Sequence, residues 1–165
     1  MKAKVIYLIG FMGVGKSHIG RCLAERLDVQ YQDLDYLLER DQMLSIRDIF
    51  KTFGEKNFRK LERIILLSTP PDGIISTGGG VILSKQNREY LKKHVVVWLD
   101  PPWETIYNRI KKSNRPIVKR NSEQALHQIY LSRRELYSEV SDIYIDLLTS
   151  DDIITKIIEK INKLS

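Results

Sequence analysis

Apolar positions along the chain follow two rhythms. Five short stretches read as strands: residues 4–9 (KVIYLI), 29–32 (VQYQ), 73–77 (GIIST), 94–99 (HVVVWL) and 142–145 (DIYI). Several are near-continuous apolar runs, the pattern of parallel strands buried on both faces. Between them the period lengthens to that of a helix. Ile19, Leu23 and Leu27 share one face of a helix that begins in the segment GKS. Ile153, Ile154, Ile157, Ile158 and Ile161 form a stripe on a last helix over residues 151–164. Asp100 is placed to cap a helix whose first turn holds Pro101 and Pro102, where a missing N–H does no harm. Strand and helix in alternation predict a parallel α/β sheet with right-handed crossovers.

Composition adds bounds. A chain of 165 residues suits one domain, residues 1–165. A net charge of +6 favours an anionic partner, leaving nucleic acid, anionic lipid, nucleotide phosphates and a carboxylate substrate open. The single cysteine, Cys22, permits no intrachain disulfide and reads as a small apolar residue of the first helix. The three histidines, His18, His94 and His127, are scattered without metal-ligand spacing. MKAKVIYLIG looks superficially like a signal peptide, but it runs into GKS rather than a small-residue cleavage site. No apolar run approaches the ~20 residues of a membrane span. These features predict a soluble, cytoplasmic protein without a membrane partner. Two aspartates at its start make the last helix a closing element packed on the sheet rather than a membrane-surface helix.

Residues 10–17, GFMGVGKS, fit the phosphate-binding pattern G-x-x-x-x-G-K-[ST] in full, after an apolar strand and before a helix. Backbone N–H groups of Gly13, Val14, Gly15 and Lys16 can wrap a phosphate at the positive end of that helix. Lys16 would bridge β- and γ-phosphates, and the Ser17 hydroxyl would ligate Mg²⁺. The His18 backbone N–H lies near the α-phosphate position, its side chain a bystander. No N-K-x-D segment selects guanine, and no apolar strand ends in the acid usual in motors and nucleic-acid ATPases.

The acid is supplied by DLD, residues 33–35. Two carboxylates two residues apart at a strand end lie near the carboxyl edge of the sheet, where ligands of open α/β folds bind. One can organise Mg²⁺ and its water; the other can accept a hydrogen bond from an attacking hydroxyl. A plain turn with a helix cap at Asp35 is the alternative. Arg59 and Glu62 stand three apart on a helix, either as a surface pair or as a guanidinium oriented toward a carboxylate ligand. Arg133 and Tyr137 stand four apart on another. Residues 78–80 are three consecutive glycines, whose missing side chains leave room for a ligand and expose backbone N–H groups. Residues 109–120, RIKKSNRPIVKR, form a basic loop without the interleaved aromatics of an RNA-binding segment.

Taken together, GFMGVGKS, DLD, SIRDIF, GEKNFRKLE, STGGG, VVVWLD, NRPIV, RRELY and DIYID resemble the shikimate kinases over nearly the whole chain. The resemblance implies a three-layer P-loop kinase fold, with a five-stranded parallel sheet in order 2-3-1-4-5 and a mobile lid over residues 109–122. It implies transfer of the ATP γ-phosphoryl group to the 3-hydroxyl of shikimate, in the route to chorismate and aromatic amino acids. Gly13 to His18 match the phosphate-binding segment, with Ser17 on Mg²⁺ and Asp33 supporting the metal through water. Asp35 matches the acid holding the shikimate hydroxyls, within a substrate-binding segment over residues 33–62. Arg59 and Arg133 match the carboxylate grip, with Gly78, Gly79 and Gly80 in the same pocket. Phe50 and Phe58 match its apolar wall. Arg115 matches the lid arginine that swings onto the phosphates, and Arg109 the one near adenine. Shikimate is the implied partner of a monomer that binds no nucleic acid. Other small-molecule P-loop kinases, acting on gluconate or nucleoside monophosphates, and a non-catalytic nucleic-acid binder are the competing classes. The chain departs from the family pattern at Val14, at His18 (usually threonine), at Met43 (commonly glycine) and after residue 146, where LLTSDD lacks a basic residue beside adenine. Met43 predicts a differently shaped junction before SIRDIF.

Overall fold

The computed structural model describes residues 5–146 and 150–164. Lys4 of the first predicted strand, and the LLT of the segment that bears on adenine, lie outside them. Five strands form one sheet in the order β2-β3-β1-β4-β5, every pair parallel. They are β1 (Ile6–Ile9), β2 (Tyr31–Asp33), β3 (Ile74–Ser76), β4 (Val95–Leu99) and β5 (Ile143–Ile145). All lie within or at the edges of the stretches that the hydrophobic pattern marked. Central β1 is buried along its length, between β3 and β4, and Tyr7 and Leu8 are wholly enclosed. A strand covered on both faces has no solvated side, which is why its sequence shows no alternation.

Helices α1 (Lys16–Leu27), α2 (Leu34–Gln42), α3 (Ile46–Ser68), α4 (Lys85–Leu91), α5 (Trp103–Ile110), α6 (Pro116–Lys119), α7 (Glu123–Val140) and α8 (Ser150–Lys163) complete the chain, with a 3₁₀ turn at Val81–Leu83. Ile153, Ile154 and Ile157 of α8 are buried in the main core, and Ile158 and Ile161 pack against it. The closing-helix reading holds; the two aspartates credited with its start carry side chains outside the description. Among the described residues no helix is long and apolar enough to cross a membrane.

Three local findings refine the sequence reading. Helix α3 is broken at Gly54, where φ is 75° and ψ 169°. A Cβ there would meet nothing within 4 Å, so the backbone conformation, not space, calls for glycine. The bend stacks Phe50 on Phe58, centroids 4.3 Å apart, in a second small core with Leu38 and Ile49. Met43 ends α2 in the left-handed conformation itself, φ 52° and ψ 31°, with its side chain 89% exposed. The junction therefore keeps the shape glycine would give it, contrary to expectation, at a conformational cost. Finally, Asp100 caps no helix. α5 starts at Trp103 with Pro102 in the capping position, and buried Asp100 instead accepts hydrogen bonds from Tyr130 (2.8 Å), Tyr144 (3.2 Å) and Arg134. A desolvated carboxylate is better satisfied by a guanidinium and two phenols than by one exposed helix end.

Candidate active site

Parallel strands all end on one edge, so the loops after β1, β2, β3 and β4 meet there. Two adjoining cavities open on that edge. The larger, about 440 Å³, is lined by the loop from Met12 to His18 with Asp33, Asp35, Thr77, Arg109 and Arg115. The smaller, about 180 Å³, is lined by Phe50, Phe58, Arg59, Glu62, the three glycines and Arg133. Met12, Asp35, Gly79 and Arg115 line both, and so mark the boundary.

On the larger side, Gly13 and Gly15 hold φ of 80° and 100°, the left-handed values that fold the loop around an anion. α1 begins at Lys16 with no side chain capping it, leaving its first N–H groups to a ligand. Lys16 Nζ donates to Gly10 O (2.7 Å) and Phe11 O (3.0 Å), which holds the ammonium over the loop. Burial pushes its pKa down to about 8, helped by Arg115 and Arg133 and opposed by Asp35 and Asp33. Ser17 Oγ donates to Asp33 Oδ2 at 2.6 Å, and Tyr31 donates to the same oxygen at 3.1 Å. Asp33 Oδ1 accepts from the N–H groups of Asp35 and Tyr36, so the helix cap is Asp33 rather than Asp35. The His18 side chain is exposed, its Nε2 3.9 Å from Cys22 Sγ, and the residue lies at the margin of the larger cavity. Arg109 donates to Gly13 O at 3.1 Å.

The smaller cavity is built for a different anion. Glu62, 5% exposed, takes both hydrogen bonds of Arg59 Nη1, at 2.9 and 3.1 Å. Burial raises the Glu62 pKa, and Arg59 opposes that rise. Arg133 is 6% exposed and pairs with no carboxylate within 4 Å among the described residues, whereas its neighbour Arg134 is neutralised by Asp100. It lies over the Phe11 ring at 5.5 Å and reaches Gly79 O at only 3.5 Å. A buried guanidinium held in no direct ion pair, with Glu62 acting on it only from a distance, gains from a ligand that supplies a counter-charge. Asp35 faces this cavity from its boundary. Burial raises its pKa, next Asp33, while Lys16 and Arg115 pull it down.

The glycine run is tighter than its sequence suggests. None of Gly78, Gly79 and Gly80 has a left-handed φ. A Cβ on Gly78 would lie 2.7 Å from Glu62 Oε1 and 2.9 Å from Asp35 Oδ1; on Gly79, 3.0 Å from Met12 N; on Gly80, 2.2 Å from Arg59 Nη1. The glycines thus make room for the protein's own ligand-facing groups and the phosphate loop, not only for a ligand. Every predicted site residue lies around the two cavities. Met12, Glu55, Arg120 and Asn121 of the smaller one lie inside segments that the sequence marked, but no spacing rule gave any of them a role of its own.

Comparisons with known proteins identify the family. The shikimate kinase family model matches residues 12–162. The chain belongs to the shikimate kinase family. It is 38% identical to a shikimate kinase of Sulfurihydrogenibium, over 97% of this chain and 99% of that one. It is 41% identical to one of Staphylococcus epidermidis over 86% and 85% of the two chains. Among solved structures, the shikimate kinase of Acinetobacter baumannii in complex with shikimate superposes with a TM-score of 0.91 at 36% identity, covering 98% of this chain and 94% of that one.

Proposed function

We propose that this chain transfers the γ-phosphoryl group of ATP to the 3-hydroxyl of shikimate, giving shikimate 3-phosphate and ADP. One observation carries the reading: a phosphate loop and a cavity with a buried arginine in no direct ion pair share a wall containing Asp35 and Arg115. Family membership and the resemblance to a shikimate-bound kinase support the choice of acceptor.

Phosphoryl transfer depends on positioning and on neutralising charge rather than on covalent chemistry. Residues 13–18 hold the triphosphate by backbone N–H groups, and Lys16 spans its β- and γ-oxygens. Arg59 and Arg133 grip the acceptor carboxylate while Phe50 and Phe58 wall its ring. Asp35 accepts the proton of the attacking hydroxyl at the boundary. Its raised pKa brings its basicity closer to that task than an exposed carboxylate's. Ser17 and Asp33, 2.6 Å apart, form an oxygen set that suits Mg²⁺, with Asp33 acting through water. Bound there, the ion would supply charge neutralisation between β- and γ-phosphates. Residues 109–122 act as a lid that brings Arg115 onto the phosphates and excludes water, with Arg109 toward adenine. The protein works as a cytoplasmic monomer without nucleic acid.

The test is ATP turnover in Mg²⁺ buffer with shikimate, gluconate and nucleoside monophosphates as separate acceptors. Turnover with shikimate alone is expected. Turnover with another acceptor but not with shikimate would overturn the assignment, and steep salt-dependent oligonucleotide binding without turnover would favour a nucleic-acid binder.

A further inference from the structure

Tyr137 lies on α7, one turn beyond Arg133, and is fully enclosed. A buried phenol needs a hydrogen-bond partner, and its hydroxyl donates to Gly79 O. Burial pushes its pKa far up, so the proton needed for that bond is always present. The same carbonyl is the weak 3.5 Å contact of Arg133. Gly79 also packs against the phosphate loop, since a Cβ there would lie 3.0 Å from Met12 N. One residue therefore meets α7 through its carbonyl and the donor loop at its Cα, on the wall of the acceptor cavity.

Three consecutive glycines have the widest backbone freedom of any tripeptide, so their peptide planes must be held from outside. The Gly79–Gly80 peptide is planar and trans, which sets the Gly80 N–H opposite to the Gly79 carbonyl. With the carbonyl turned to α7, that N–H turns away from α7. Among the described residues it has no backbone acceptor, and Gly80 lines the smaller cavity. We propose that Tyr137 is a positioning residue for the acceptor: its hydroxyl locks the Gly79–Gly80 peptide so that the Gly80 N–H is presented to the acceptor, and it frees Arg133 from that carbonyl. The inference rests on the smaller cavity being the acceptor site. Without the phenol, Gly79 O competes with the acceptor carboxylate for Arg133, and the donor N–H is no longer fixed.

The experiment is Tyr137→Phe beside Tyr130→Phe, which removes another buried α7 hydroxyl, one bonded to Asp100 instead. Tyr137→Phe is expected to raise the KM for shikimate about tenfold, leave the KM for ATP within about twofold, and shift the NMR resonances of the Gly79 carbonyl carbon and the Gly80 amide nitrogen but not those of β1. Tyr130→Phe should lower the melting temperature comparably without that split. Equal rises in both KM values, the same acceptor defect in both variants, or unchanged resonances of the Gly79 carbonyl and Gly80 amide would overturn the proposal. If the wild-type protein does not turn over shikimate, the functional assignment fails, while the resonances of the Gly79 carbonyl and Gly80 amide still decide whether Tyr137 holds the peptide.

Discussion

The two glycine runs at the site answer different demands. Gly15 of the donor loop holds φ of 100°, yet a methyl there would meet nothing nearer than Arg109 Nη1 at 3.6 Å. It is glycine because of backbone conformation. Gly80 of the acceptor run has an ordinary φ, yet a methyl would collide with Arg59 at 2.2 Å. It is glycine because of space. Gly13 combines both, with φ of 80° and Ile110 Cγ2 at 2.5 Å. The donor side is thus shaped by how the chain turns, and the acceptor side by what distant helices press against it. Damage to one side should therefore be separable from damage to the other.

The largest expected separation is Arg133→Ala. Removing a buried, otherwise unpaired guanidinium should cost shikimate binding about 3 kcal/mol, roughly a hundredfold in affinity, with ATP affinity nearly intact. Calorimetric titration of each ligand measures both; equal losses would show that Arg133 serves the fold instead. Next is Gly80→Ala, which overpacks Arg59 and should weaken shikimate by about 1–3 kcal/mol while sparing ATP. Gly79→Ala is the informative contrast, because its methyl presses on Met12 N and should disturb both ligands.

The third prediction concerns pH and reaches only the donor side. Free Lys16 titrates at about 8, and bound phosphates favour its charged form. ATP affinity should be highest below that pH and fall by about an order of magnitude as Lys16 deprotonates above it. Affinity measured from pH 6.5 to 9.5 tests this, with Lys16→Arg expected to flatten the curve. Shikimate affinity, read by guanidinium groups that stay charged, should not follow. An identical alkaline loss for both ligands would tie the two sides together. The smallest effect is Met43→Gly. It relieves a left-handed φ without touching either cavity, and should add about 1 kcal/mol of stability, raising Tm by about 2–4 °C. Kinetics should not change; a change would mean that the α2–α3 junction transmits to the acceptor side.

Much of the site was legible because its signals are local. A strand, a glycine loop and GKS within 12 residues state the donor site almost alone, since backbone N–H groups do the binding. The acceptor side read poorly from spacing. Arg59 with Glu62, and Arg133 with Tyr137, have the spacing of any exposed helical pair; only burial separates them from surface charge. Asp100 was misread for the same reason. Its local context, before two prolines, suits a cap, but Tyr130, Arg134 and Tyr144 arrive from 30 to 44 residues away. The Gly54 bend also escaped, because one glycine within a helical pattern does not announce a backbone break.

Local sequence was enough for the strand set, the phosphate loop, the carboxylate pair at the end of β2 and the family. Each is written in neighbouring residues or in an unbroken apolar run. Only contacts between distant elements settle which arginine is left without a direct ion pair, which aspartate caps α2, and why three glycines stand together. Those outcomes depend on desolvation and on contacts below 4 Å between elements far apart in the chain, quantities that no local spacing encodes.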